Sequence, residues 1–538
     1  MPDRTAVLAP LDNRTFRLLW LATLLSNLGL LVQSVGASWT MTTMTGSHNM
    51  IALVQASTTL PIMLFSIFAG ALADSFDRRT LMLIAQGSMM VVATTLTMLA
   101  MLDLLTPWLL LCFTFLMGCG LALFNPSWQS SVGDIVPREH LPGAVTLNAM
   151  GFNAMRSVGP AVGGLVVALA GAAAAFAINA LFYVPFLLAT ATWKPHSKST
   201  QLPRENFVGS IGVGLRYVSL SPNLLKVMLR GSLFGFSAVV IVSLLPSVTN
   251  TYVGGGALTY GTLLGCFGLG AVGGGLINSR LRERFSNEAI VRLGCIGFAL
   301  GSVTLGVSRD PLLSHLALLP AGACWVAVVS LLNVSIQLSS PRWVLGRALS
   351  LYQTATFGGM SVGAWFWGRT ADAFGLDLAL LMAGAGLLLC AAIGLLSPVP
   401  HFNSRNLDPL DRADDPVIDF DLSPNSGPIV VTIDYTIAQD DIPQLLTLMA
   451  ERRHIRLRDG ARHWSLLRDL QTSDIWTESY QVPTWTDYLR HKSRRTKADA
   501  ENIERLLRLH RGVQPPAVRR QIKQQTDVPH DHPPSRRR

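Results

Sequence analysis

The chain has 538 residues, half of them hydrophobic and only 14% charged, and its mean hydropathy is +0.38. This make-up argues against a water-soluble globular protein and excludes disorder over most of the length, because disorder needs low hydrophobicity and high charge. The formal net charge of +10 does not mark a nucleic-acid surface: residues 1–400 hold 21 Lys/Arg against 13 Asp/Glu and the remaining 138 residues hold 22 against 20, so the excess lies in the apolar region.

The segment from Met1 to Arg17 is charged and runs into an apolar stretch that continues past any cleavage point, which reads as a first membrane span and not a removed signal peptide. Twelve apolar segments are long enough to cross about 30 Å of hydrocarbon. They cover residues 16–40, 51–73, 80–102, 108–131, 143–168, 172–193, 224–249, 257–280, 289–307, 312–338, 347–371 and 377–398. Only a short stretch with Ala170 and Gly171 separates the fifth from the sixth, so one very long helix is the alternative there. The six cysteines (Cys112, Cys119, Cys266, Cys295, Cys324, Cys390) lie inside these stretches with no metal-ligand spacing and read as small core residues.

Lysine and arginine accumulate in cytoplasmic loops. Alternating the loops places 18 of these residues on one side, among them Arg78, Arg79, Arg138, Lys194, Arg230, Arg282 and Arg347, and only Arg309 and Arg369 on the other. The split predicts a multi-pass membrane protein with both termini in the cytoplasm. An internal repeat appears at an offset of 204 residues: Gly70-Ala71-Leu72-Ala73-Asp74-Ser75 aligns with Gly274-Gly275-Leu276-Ile277-Asn278-Ser279, and Arg78 with Arg282. The expected fold is therefore an all-α membrane protein of twelve transmembrane helices in two six-helix bundles, 1–193 and 224–400, joined by a cytoplasmic linker over 194–223.

After Pro400 the composition turns polar, and 401–428 reads as a second linker. Ile429, Val431, Ile433, Tyr435 and Ile437 alternate as a half-buried strand, and Ile442, Leu445, Leu446 and Met449 form one helical face. Strand-like runs at His463–Leu470 and Ile475–Val482, then helices at Trp485–His491 and Ala498–His510, complete a small cytoplasmic α+β domain of ferredoxin-like type over 429–511. A disordered tail is expected for 512–538.

Chemistry-bearing residues concentrate in the spans. Gly70-x-Leu72-Ala73-Asp74-x-x-Asp77-Arg78-Arg79, between spans 2 and 3, resembles motif A of the major facilitator superfamily. The resemblance implies the major facilitator fold and a latch that holds the cytoplasmic gate shut. Ser75 and Asp77 depart from the usual Arg and Gly, and in the second half Asn278 replaces Asp. Arg156-x-x-Gly159-Pro160-x-x-Gly163-Gly164 looks like the core of motif C, which is typical of exporters and antiporters, with Met155 departing from it. Glycines let helices pack closely and the proline bends the helix, as a moving gate needs.

Arg156 lies mid-helix, too deep to reach the interface, and an intramembrane arginine is a functional hypothesis by default. Asp103, Asp134, Asp310, Asp372 and Asp377 all fall near span ends, so either neighbouring amides and carbonyls or an anionic substrate satisfies it. Asn148, Phe152 and Arg156 share a helix face at i, i+4, i+8. Asn27, Gln33, Asn125, Trp128, Trp325, Asn333 and Gln337 are further cavity candidates on spans 1, 4 and 10, each equally readable as helix glue.

Segments such as Phe16-Arg17-Leu18-Leu19-Trp20, Val136-Pro137-Arg138 and Gly346-Arg347-x-x-Ser350 are similar to the enterobactin-exporter-like, transmembrane secretion effector branch. The tail around Arg456-x-Arg458-Asp459-Gly460-Ala461 and Trp464 resembles the antibiotic-biosynthesis-monooxygenase type of dimeric α+β barrel, which implies a homodimer through the C-terminal domain. Leu30 stands where many relatives have a polar or acidic residue, so the resemblance places no proton carrier there. No G-x-x-x-x-G-K-[ST] occurs. The expectation is a secondary active transporter exporting a small amphipathic or anionic metabolite, siderophore or drug, driven by a proton or ion gradient, with no cofactor, metal or nucleic acid. A membrane-anchored enzyme or sensor, with the activity in the tail, is the alternative.

Overall fold

The computed structural model describes residues 8–193, 207–341, 343–399 and 422–524. It divides into two compact units, the first comprising Met1–Leu215, Pro222–Ser339 and Leu345–Phe402 and the second Arg216–Ser221, Ser340–Val344 and Asn403–Arg538.

The first unit is helical. Its elements are α1 (Arg14–Met44), α2 (His48–Ser75), α3 (Arg78–Met101), α4 (Pro107–Ile135), α5 (Leu141–Thr192), α6 (Phe207–Ser219, of which the residues from Arg216 on belong to the second unit), α7 (Pro222–Val248), α8 (Ala257–Arg284), α9 (Asn287–Val307), α10 (Pro311–Leu338), α11 (Leu345–Phe374) and α12 (Leu376–Leu396). Side-chain caps set many of the starts: Asn13, Ser47, Asp77, Thr106, Ser286 and Asp310 each accept from a backbone N–H of the first turn. Ten helices among the described residues are long and apolar enough to cross a membrane. Leu169, Leu181, Leu276, Leu389 and Leu396 are among the many large apolar side chains left exposed on their surfaces. Such patches need an apolar solvent.

The segments expected at 143–168 and 172–193 belong to one 52-residue element, α5, broken at Gly171 with φ 76° and ψ 173°. A positive φ with extended ψ is open to glycine alone, so Gly171 sets the break. The break leaves helical stretches 141–170 and 172–192, about 45 Å and about 32 Å at 1.5 Å per residue, each long enough to cross the hydrocarbon.

Two sequence expectations change here. Only Cys295 and Cys390 are buried, whereas Cys112 is exposed on α4, so the cysteines are not uniformly core residues. Arg230, assigned to a loop, is buried in α7, where its Nη2 meets Glu288 Oε1 at 2.7 Å and its Nη1 donates to the Cys390 carbonyl. Glu288 Oε2 also accepts the Val399 amide at 2.8 Å. The pair ties α7, α9 and α12 together at a depth where an uncompensated charge would be very costly.

The second unit holds a sheet of β1 (Ile429–Thr436), β2 (Arg462–Arg468), β3 (Ile475–Val482) and β4 (Ala517–Ile522) with helices α13 (Ile442–Arg458), α14 (Trp485–Ser493) and α15 (Lys497–Leu509). Strand order is β2-β3-β1-β4, and every pairing is antiparallel. Alternate residues Ile429, Val431, Ile433 and Tyr435 are buried with Leu445, Leu448, Met449, Tyr480 and Leu506. The tail expected to be disordered contributes β4, whose Ile522 lies opposite Ile429. Its sequence, Ala-Val-Arg-Arg-Gln-Ile, hides a strand because its Arg and Gln side chains are tolerated on an exposed edge.

Candidate functional site

Helices α1, α2, α4, α5, α7, α8 and α11 enclose a cavity of about 280 Å³. Two of its walls are polar but neutral: α1 supplies Gln33, Ser34 and Ser38, and α2 supplies Gln55, Thr58 and Thr59. α4 adds Thr114, while Leu264, Phe267 and Phe357 supply apolar surface from the second half. The one charged side chain of the lining is Arg156.

Arg156 stands 15 residues from each of Leu141 and Gly171, about 22 Å of helix in either direction. Its guanidinium carbon lies 5.5 Å from the Trp325 ring centroid and 5.9 Å from that of Phe267. These distances are near the outer limit of about 6 Å for a cation over an aromatic face. The rings steady the positive charge but provide no lone pairs for its five N–H donors. Among the described residues no carboxylate forms an ion pair with Arg156.

Arg156 is also next to a contact between the two halves. Ser157 Oγ donates to the Gly268 carbonyl of α8 at 2.8 Å. A Cβ on Gly268 would lie 2.5 Å from Ser157 Cα, and one on Gly164 would lie 2.7 Å from Gly261 Cα. Backbones this close exclude any side chain. The motif's glycines thus divide by direction: Gly159 and Gly163 accommodate Leu31 and Val32 of α1, while Gly164 and the Pro160 carbonyl meet Gly261 of α8.

Of the residues singled out from sequence, Gln33, Phe152, Arg156 and Pro160 line the cavity. Trp325 adjoins it through Arg156. The expected stripe is displaced by one turn, since Asn148 is absent from the lining and Pro160 takes its place. Asn27 and Asn125 are not in the lining either. Trp128 is a core residue, stacked on Phe124 and edge-on to Phe186. Asn333 and Gln337 bond to each other at 2.6 Å along α10 and stay out of the cavity. Gln33, on the wall, accepts from buried Asn179 at 2.6 Å. Gln55, Thr58, Thr59 and Thr114 were missed because isolated Thr and Gln in a span do not differ by sequence from residues that bond to their own helix.

Around motif A, Gly70 faces α11, where a Cβ would come within 2.9 Å of Ser350 Oγ. Asp77 caps α3 by accepting from the Thr80 hydroxyl at 2.8 Å and the Thr80 amide at 3.3 Å. Arg78 pairs with Asp134 at 2.6 Å and donates to the Ser130 carbonyl at 2.9 Å. Arg79 caps the end of α5 through the Thr190 and Ala191 carbonyls at 3.1 and 2.5 Å. In the second half Asn278 and Arg282 both donate to Ser330 Oγ at 3.1 Å. The expected Asp74 latch falls on a side chain outside those described.

A family model described as transmembrane secretion effector matches residues 5–527. The chain belongs to the transmembrane secretion effector family. It is 26% identical to the enterobactin exporter EntS of Shigella dysenteriae over 412 residues, 74% of this chain and 95% of that protein. It is 24% identical to the staphyloferrin A transporter of Staphylococcus aureus over 282 residues, 52% of this chain and 70% of that one. A bacterial homolog of the human lysosomal transporter Spinster, inward-facing and unoccupied, superposes with a TM-score of 0.57 at 14% identity, covering 71% of this chain and 96% of that one. A D-xylose-proton symporter gives 0.57 at 14% identity, covering 72% and 98%. At such identities the structural likeness bears on the fold alone. The protein is a multi-pass membrane transporter of the secondary, exporter-like kind, and not the membrane-anchored enzyme that its tail left open.

Proposed function

We propose that this transporter exports a small anionic or amphipathic metabolite of the siderophore type by alternating access, with Arg156 as the group that receives the cargo's oxyanion. The observation that carries the reading is a mid-helix guanidinium facing a cavity with no carboxylate in its lining. The cargoes for which the relatives are named, enterobactin and staphyloferrin A, agree with it in kind. An oxyanion entering the cavity supplies acceptors that the Trp325 and Phe267 rings lack, and a bidentate pair is the strongest neutral outcome for that charge. Arg156 adjoins Ser157, so cargo binding acts beside the α5–α8 contact. Binding that favours one arrangement of the halves shifts their equilibrium by its differential affinity.

The full architecture of the proposal has twelve spans, obtained when α5 counts twice across Gly171 and α11 joins the ten most apolar helices. Both termini are cytoplasmic, from the charge split. Motif A (Gly70, Asp74, Asp77, Arg78, Arg79) latches the cytoplasmic side and motif C (Gly159, Pro160, Gly163, Gly164) lets α5 and α8 close. A proton or ion gradient drives the cycle without a cofactor. The β-α-β-β-α-α-β order with sheet β2-β3-β1-β4 supports a ferredoxin-like tail, and a homodimer through its open edges completes the assembly.

Two experiments test this reading. Cells with and without the protein, loaded with a panel of siderophores and cationic drugs, should differ in retention of an anionic siderophore; equal retention across the panel would remove the exporter. A periplasm-active reporter should work after Thr45 and fail after Lys198 or Pro400, and the reverse pattern rejects the topology.

A further inference from the structure

A second cavity, of about 250 Å³, lies inside the C-terminal unit between the sheet and its helices. Its lining carries five cations, Arg452, Arg456, Lys492, Arg495 and Arg520, and no carboxylate. Glu478 stands behind it, fully buried, accepting from Arg452 Nε at 2.7 Å and Arg456 Nε at 3.0 Å. Glu478 thus serves Arg452 and Arg456 among these cations.

The remaining donors of Arg456 are unevenly used. Nη1 points to His491 Nε2 at 3.3 Å, and Nη2, on a residue only 4% exposed, has no partner among the described residues. Arg495 Nε is likewise buried without a partner. A buried charged donor left unsatisfied costs more than a neutral one, so these groups are poised for an acceptor that protein side chains do not supply. Burial and the nearby Arg456 and Arg452 hold the Arg495 guanidinium below its usual range, as expected where like charges converge. Burial and Arg456 also keep His491 neutral, well below the usual histidine range, so it adds no sixth charge.

The rest of the lining is aromatic and aliphatic. Tyr435, Tyr480 and Tyr488 contribute rings, and Val431, Ile433 and Leu507 contribute apolar surface. Arg456 already sits over the Tyr480 ring at 4.4 Å. We infer that this cavity is a binding site for a small aromatic carboxylate, its ring against the tyrosines and its oxyanions on Arg456 and Arg495. The site is separate from the Arg156 cavity and does not depend on what the membrane unit carries.

Phthalate, one ring with two carboxylates, is the probe, titrated calorimetrically into the full-length detergent-purified protein. Inorganic phosphate supplies charge without a ring and benzyl alcohol a ring without charge. Phthalate should bind saturably and at least about tenfold more tightly than either, the weight of a charge-assisted hydrogen bond. Arg495→Gln should weaken phthalate at least about tenfold, while Arg156→Gln and the exposed control Arg505→Gln should not. Because Arg456→Gln removes a Glu478 partner and can unfold the unit, Arg495→Gln carries the test, with retention of the sheet checked by circular dichroism. Absence of saturable phthalate binding, phosphate binding as tightly as phthalate, or loss on Arg156→Gln but not on Arg495→Gln would each overturn the site.

Discussion

Asp372, in the last turn of α11, accepts the backbone N–H of His48 at 2.6 Å, where α2 begins. The same carboxylate accepts from Ser47 Oγ at 2.7 Å and the Asn49 amide at 3.3 Å. A carboxylate on the first turn of another helix meets both free N–H groups and the positive end of the dipole. The contact joins the two halves at one end of the bundle, opposite in chain direction to the motif A loop. Further along the same pair of helices, Thr59 and Ser361 share a hydrogen bond at 2.7 Å and Ser66 and Thr354 one at 2.9 Å.

Asp372→Asn keeps the size but removes the charge, and should weaken this closure by about 1–2 kcal/mol, roughly tenfold in the open fraction. Electron-spin distance measurements between labels at Gly46 and Ala373, in a cysteine-free background, should show a longer-distance population in the variant. An unchanged distribution means that Asp372 does not hold this end shut.

Close approach of α5 and α8 makes a second prediction. Gly164→Val places a branched side chain where Gly261 Cα would be 2.7 Å from the first carbon alone. Transport should fall at least about tenfold through loss of the close packing while the protein still inserts. Gly273→Ala is the control, because nothing lies within 4 Å of its Cβ position. If Gly164→Val transports at the normal rate, the contact is incidental to the cycle.

The fold was legible largely because bilayer solvent demands long apolar runs, and most helix ends fall within a few residues of the hydropathy boundaries. The break in α5 was ambiguous because only Gly171 marks it, and a conformational freedom leaves no trace in composition. Arg156 could be picked out because a charge at that depth is unusual. Trp128 could not be separated from Trp325: both are tryptophans in cavity-facing spans, and only packing sends one into the Phe124–Phe186 cluster and the other against Arg156. Asp372 was visible only as a charge near a span end, since its partner lies 324 residues away in the chain.

Glu478 predicts the pH response of the C-terminal unit. Burial alone would raise its carboxyl above the usual 4.5, but Arg456 and Arg452 outweigh that and bring it to about 2. A folded-state value below the unfolded one gives stability that is complete above about 4.5 and lost as pH falls toward 2, on the order of 3 kcal/mol. Asp459, raised by burial to about 6, has the opposite slope, so the comparison must be made against Glu478→Gln. Resistance of residues 429–522 to pepsin should collapse between pH 4.5 and 2 in the natural protein, and the variant should start lower and change less. Equal pH dependence in both would remove Glu478 as the cause.

The cargo-binding role of Arg156 is tested most directly by binding of enterobactin and staphyloferrin A to the purified protein, compared with Arg156→Gln and Arg156→Lys. At least one of the two should bind the natural protein, and Gln should weaken it about 10–100-fold, the loss of a charge-assisted pair. Lysine should recover only part of that, because it lacks the planar fork. Equal affinity and normal export in Arg156→Gln would contradict the account and leave Arg156 as a structural cation held by Trp325 and Phe267.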